Sequence, residues 1–257
     1  MAIHLLAVLV VFALAHGLPD LARLRDFSRL RVWLSVLTQI GGGARSVLGI
    51  FVPVLLCALI QWLLGGWMFG LLAFAFAVCV LWYSWGPRDL SEDVDAVVKA
   101  PDSDRRIVAA QLLRPDGDET PLAFEAPALV DATFQSALKR WFGVLFWFLL
   151  LGPCGALLYR LTQLLAWSPT LSELQSEEGR RLAQRLSLWL DWAPAHLMAL
   201  ALAVASDFDA VFHTWKSWHE RMGKGYFSLD LGFLSAITSA STLARAIADR
   251  KPRSRLK

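Results

Sequence analysis

Between Arg45 and Arg88 the chain carries no charged side chain. At about 1.5 Å of rise per helical residue, a stretch of that length can cross roughly 30 Å of hydrocarbon twice. The rest of the composition agrees. Over 257 residues, 56% are hydrophobic and only 18% charged, more apolar surface than a soluble domain of this size readily hides. These observations predict an all-α, polytopic helical membrane protein.

Within the uncharged stretch, Leu48–Leu64 and Trp67–Trp82 read as two spans joined only by Gly65 and Gly66, a hairpin whose turn barely leaves the bilayer. Phe142–Ala166 reads as a further span. Leu186–Ser206 reads as another, although Asp191, Pro194 and His196 raise its insertion cost unless they face protein. Ile3–Ala15 matches a signal sequence in length, but no basic segment precedes it and no small-x-small cleavage site follows. It is read as a short retained first span that could instead lie in the interface. Four or five spans are therefore expected, together with interfacial and cytoplasmic helices.

Short loops rich in Lys and Arg stay on the cytoplasmic side. Residues 18–47, 85–141 and 207–257 hold 21 of the 25 basic residues. Placing them together predicts a multi-pass protein of a bacterial inner membrane, with its larger loops and C-terminus in the cytoplasm. A net charge of +3 is too small to argue for a nucleic-acid partner. Cys57, Cys79 and Cys154 all fall in apolar runs without metal-binding or disulfide spacing.

From Pro19 to Val36, leucines at helical spacing alternate with Arg23, Arg25, Arg29 and Arg31, the pattern of a helix lying on an anionic leaflet. Gly41, Gly42 and Gly43 then break it. With no preceding strand and no Lys-Ser/Thr sequel they read as a hinge, not a phosphate loop. The 85–141 insert predicts helices over Asp104–Leu113 and Ala128–Arg140. Its acidic pairs, Glu92 with Asp93 and Asp116 with Asp118, could hold a divalent ion, though acids in a solvated loop are most often only solvated. Phe208 to Met222 repeats aromatic residues at helical spacing, as an interfacial helix does. A basic tail from Arg250 to Arg255 follows.

Three polar residues inside the spans are the candidate functional or structural cluster. Arg160 and Asp191 fall at similar depth in an antiparallel pair and could form an ion pair. His196 could join them or simply pack. His213 and His219 are six apart, the wrong spacing for two ligands on one helical face, and Gly223-Lys224-Gly225 is no phosphate loop. No nucleophile–histidine–acid set can be assembled. No catalytic residue, metal or cofactor is therefore assigned.

Two stretches, Gly143–Trp147 running into Leu151–Arg160, and Trp189–Leu197, resemble the superfamily shared by AmpE and the membrane synthase that makes adenosylcobinamide phosphate in cobalamin assembly. The motif residues are Phe146, Trp147, Gly152, Pro153, Gly155, Tyr159, Trp192 and Pro194. In the synthase pattern, polar groups stand where this chain has Lys139 and Arg140, Gln163 and Ala166, Ser187 and Leu188, and His196. Those departures favour AmpE, whose family is implicated in signalling linked to β-lactamase induction and peptidoglycan recycling. The resemblance implies a non-enzymatic regulator or sensor. A divergent synthase-type enzyme using Arg160, Asp191 and His196, or an intramembrane helper subunit, are the alternatives. Expected partners are membrane lipid and a protein at the cytoplasmic face or within the bilayer.

The expected domain order is an N-terminal span, basic helix and hairpin over 1–84; a cytoplasmic insert over 85–141; a two-span core over 142–206; and an aromatic helix with a basic tail over 207–257.

Overall fold

The computed structural model describes residues 2–17, 28–65, 70–86, 90–114, 122–206, 208–223, 225 and 227–250. Every regular element among them is helical. The helices are α1 (Ala2–Gly17), α2 (Ser28–Val36), α3 (Ala44–Gly65), α4 (Gly70–Ser84), α5 (Leu90–Lys99), α6 (Ser103–Ala110), α7 (Ala126–Ala137), α8 (Gly143–Leu151), α9 (Pro153–Trp167), α10 (Pro169–Ser172), α11 (Glu177–Ala205), α12 (Phe208–Met222) and α13 (Gly232–Arg250).

Helix α9 is the hub. It packs against α3, α4, α8 and α11, and its buried face runs from Gly155 through Tyr159 and Gln163 to Ala166. One core layer joins α1, α4, α8 and α9 through Val11, Leu81, Phe148 and Tyr159. A second joins α2, α3 and α9 through Leu34, Ile50 and Leu165. A third gathers α11, α12 and α13 around Phe233 and Ile237, and a small fourth closes the 90–132 region.

Two helices, α3 and α11, are long and apolar enough to cross a membrane. The core helix of a soluble protein would pass the same test, but it would be buried. Only 17% of the apolar window of α3 is buried, and Phe51, Leu55, Leu59 and Trp62 stand exposed along it. Water would have to wet this face at roughly 25 cal/mol per Å²; hydrocarbon wets it freely. The pattern suits a membrane protein. Ile3–Ala15 and Gly70–Ser84 are apolar but shorter.

The span expected over Phe142–Ala166 is not one helix. Gly152, at φ +75°, ends α8 and starts α9, a conformation that favours glycine, and Pro153 occupies the first position of the new helix. A side chain from α3 closes the break. Gln61 donates from Nε2 to the Leu151 carbonyl (3.3 Å), and its Oε1 accepts from the Cys154 N–H (3.3 Å). Backbone groups freed inside an apolar medium need such partners.

Helix α7 passes through a π-helical turn, Leu138–Phe142, directly into α8. Helix α12 occupies the expected range, and α6 with a 3₁₀ turn matches Asp104–Leu113. Helices α5 and α13 were not anticipated; α13 occupies the stretch ahead of the basic tail and packs on α12 and α7. Residues 18–27, the hairpin turn at 66–69, the acidic pair Asp116 and Asp118, and the tail from residue 251 lie outside the described residues.

Asp93, considered above as half of a metal-binding pair, is instead buried against Arg140, with Arg140 Nη1 2.6 Å from its Oδ2. The same guanidinium donates from Nη2 to the Leu112 carbonyl (2.8 Å) and the Arg114 carbonyl (3.3 Å). The ion pair thus ties α5 and the turn after α6 to the π-helical turn. Among the described residues no group of three or more His, Cys, Asp or Glu side chains could hold a metal ion.

A candidate polar site around Asp191

Residues four apart on a helix share a face. Tyr159, Gln163 and Trp167 make such a row on α9, and Ser187 and Asp191 make one on α11. Where the rows meet, Asp191 is buried and held by three neutral donors. Tyr159 donates to Oδ1 (2.6 Å), Gln163 donates to Oδ1 (2.9 Å) and Oδ2 (3.1 Å), and Ser187 donates to Oδ2 (3.2 Å). Trp167 extends the row by donating from its indole to Ser187 Oγ (3.0 Å). Gly143 makes room for this arrangement, since a Cβ there would collide with the Tyr159 ring and hydroxyl.

The partner expected for Asp191 was Arg160. Successive helical residues are turned about 100° apart, and it is the face of Tyr159 and Gln163 that supplies donors to Asp191. Arg160 is buried all the same. His196 is five residues beyond Asp191, about 140° around α11, and joins a different group. Its ring packs on Trp192 (centroids 4.4 Å apart), Phe233 (4.6 Å) and Trp215 (5.6 Å), with Nδ1 2.7 Å from the Trp192 carbonyl. The hydrogen bonds to Asp191 given above come from Tyr159, Gln163 and Ser187, and the ring contacts of His196 are with Trp192, Trp215 and Phe233.

A cavity of about 250 Å³ opens beside Asp191, among α7, α11, α13 and the π-helical turn. Its polar lining comes from Gln135, Lys139, Asp191, Asp230 and Ser235. The π-helical turn sends its two cations to different places, Arg140 to Asp93 and Lys139 to this cavity, where Lys139 Nζ lies 4.6 Å from the centre of the Trp167 ring. Asp230 caps the start of α13 by accepting from the Gly232 N–H (2.9 Å), and Gln135 donates to Ser235 Oγ (3.3 Å), joining α7 to α13. Sequence reasoning missed Lys139, Gln135, Asp230 and Ser235 as site residues. All four lie outside the expected spans, where polar residues carry no signal.

The other motif residues have structural duties. Pro194 has no N–H, so the carbonyl four residues earlier, Leu190, loses its helical donor. Trp147 supplies the replacement, its indole N–H donating to Leu190 O at 3.0 Å. Phe146 packs edge-on against Trp147, and a Cβ on Gly155 would collide with the Trp147 carbonyl oxygen. Trp192 stacks on Phe227.

Chemically, the site is a fixed carboxylate beside a cavity that also presents an ammonium and a second carboxylate. Four hydrogen bonds from protein donors take up the acceptor capacity of Asp191, which suits a rigid charged wall better than a base that must exchange protons with a substrate.

No family model matches the chain, and no solved structure matches it. Among curated proteins it is similar to the cobalamin biosynthesis protein CobD of Stutzerimonas stutzeri, 25% identical over 214 residues that cover 79% of this chain and 67% of that protein. This similarity supports the cobalamin-synthase-like superfamily to which the sequence motifs point, on its cobalamin side.

Proposed function

We propose that the protein is a multi-pass protein of a bacterial inner membrane that binds a small charged ligand in the Asp191 cavity and does not turn it over. The observation that carries this reading is where the departures from the synthase pattern fall. Lys139 and Leu188 line the cavity, while Gln163 and Ser187 hold Asp191. Four of the seven departures, spread through 50 residues of sequence, meet at one place, as they would if a reaction site had been refitted for binding, while Arg140, Ala166 and His196 serve elsewhere. An ammonium and two carboxylates around one cavity suit a ligand bearing both an amine and an anionic group.

The test is a binding and turnover measurement on the purified chain, using an aminoalcohol phosphate and a corrinoid as probes. The expected result is saturable binding of the aminoalcohol phosphate, weakened about tenfold by Lys139→Gln, with no product. Formation of a condensed product would overturn the non-catalytic reading.

A divergent membrane enzyme is the second reading, favoured by the similarity to CobD. It would work through Lys139, Asp191 and Asp230, which line one cavity. The narrower AmpE-like role in β-lactamase induction rests on the sequence resemblance alone.

A further inference from the structure

A second concavity, of about 560 Å³, opens between α3 and α4 where both pack on α9. One wall is the α3 face of Pro53, Cys57 and Ile60, the other the α4 face of Phe76 and Tyr83. Both faces repeat at helical spacing, so the groove runs along the helix axes for about 10 Å at 1.5 Å per residue. Its volume falls in the range of roughly 300–1,000 Å³ typical of ligand sites.

Helix α2 crosses one end. Leu34 packs against Gly49, and Leu30 is buried in the same layer as Ile50 and Leu161. The crossing places Arg29 and Trp33 at the Pro53 end, while Ile60 and Phe76 lie toward the turn between α3 and α4. Among the described residues, Arg29 is the one charged side chain of the lining, no carboxylate lines it, and none pairs with Arg29. The Trp33 indole N–H is buried without an acceptor among the described residues. An apolar trough therefore leads to a cation and an unmet donor, and both seek an anion.

We propose that this groove binds one anionic phospholipid, with an acyl chain along the α3 and α4 faces and the phosphate on Arg29. Arginine and phosphate form charge-assisted, forked hydrogen bonds, and an ester or phosphate oxygen at the head of the chain gives Trp33 its acceptor. A second copy of the protein docking sideways is a poorer occupant, since α1, α3, α4, α8 and α9 contain no acidic residue to meet Arg29. The proposal rests on the membrane reading given above and goes beyond it in naming a lipid site.

The full chain, reconstituted in phosphatidylcholine vesicles, can be tested with equal mole fractions of brominated phosphatidylglycerol or brominated phosphatidylcholine. The Trp33 contribution to fluorescence is obtained by difference from Trp33→Phe. The expected result is a roughly tenfold preference of the Trp33 site for the anionic quencher, lost in Arg29→Gln while quenching of the remaining tryptophans is unchanged. Equal quenching by both lipids, or a preference that survives Arg29→Gln, overturns the lipid site and leaves the membrane reading standing. No quenching by either lipid overturns both. Native mass spectrometry of wild type and Arg29→Gln reads the same question without altering Trp33: retained phosphatidylglycerol should fall in the variant, and equal retention refutes the site.

Discussion

The Trp147 indole and the Pro194 ring are related as remedy and defect. Without an N–H at residue 194 the Leu190 carbonyl would be buried and unmet, and Trp147 meets it at 3.0 Å. Removing that donor by Trp147→Phe should destabilise the fold by about 1–3 kcal/mol, measured by reversible unfolding in mixed micelles. In a Pro194→Ala background the helix supplies its own donor and the same substitution should cost clearly less, a coupling that a double-mutant cycle reads directly. Equal costs in the two backgrounds would show that Trp147 acts only through packing. The same scale explains why Asp191 was legible in the sequence and its partner was not. A lone acid in an apolar run announces a buried polar contact. Tyr159 and Arg160 are neighbours in the sequence, though, and position along the chain does not reveal that the phenol is a donor to Asp191.

At the scale of elements, hydropathy found α3 and α11, and aromatic spacing found α12, because each carries its signal over many residues. It missed the break at Gly152, since glycine and proline barely alter the mean hydropathy of a run such as Phe142–Ala166. It missed α13 because small and polar residues such as Ser235 and Thr238 dilute the apolar stripe of Phe233, Leu234 and Ile237. The break depends on α3, whose Gln61 meets both Leu151 O and Cys154 N–H. Gln61→Leu should therefore cost about 1–3 kcal/mol for the orphaned Cys154 N–H, with faster hydrogen exchange at residues 152–156 than at the middle of α9. Gln61→Glu, which keeps an acceptor, should retain the protection of Cys154. Uniform exchange in Gln61→Leu would mean that the break needs no help from α3.

For the whole molecule, the distribution of basic residues and the exposed apolar face of α3 lead to one geometric prediction: residues near 103 and near 173 should be on opposite sides of a membrane. Single cysteines in a cysteine-free chain at Ser103 and Glu173, both at the surface, should separate in labelling by an impermeant maleimide on intact spheroplasts. The residue at 173 should react at once and the residue at 103 only after lysis; the reverse order would invert the topology, and simultaneous reaction would abolish it. The break between α8 and α9 adds a constraint of timing. A nascent chain emerges from its N-terminus, so Gln61 is made before Leu151 and Cys154. The amide that meets the backbone groups of the later segment is synthesised about 90 residues ahead of it, and the order of the genetic message thus supplies this break with its remedy before the break is made.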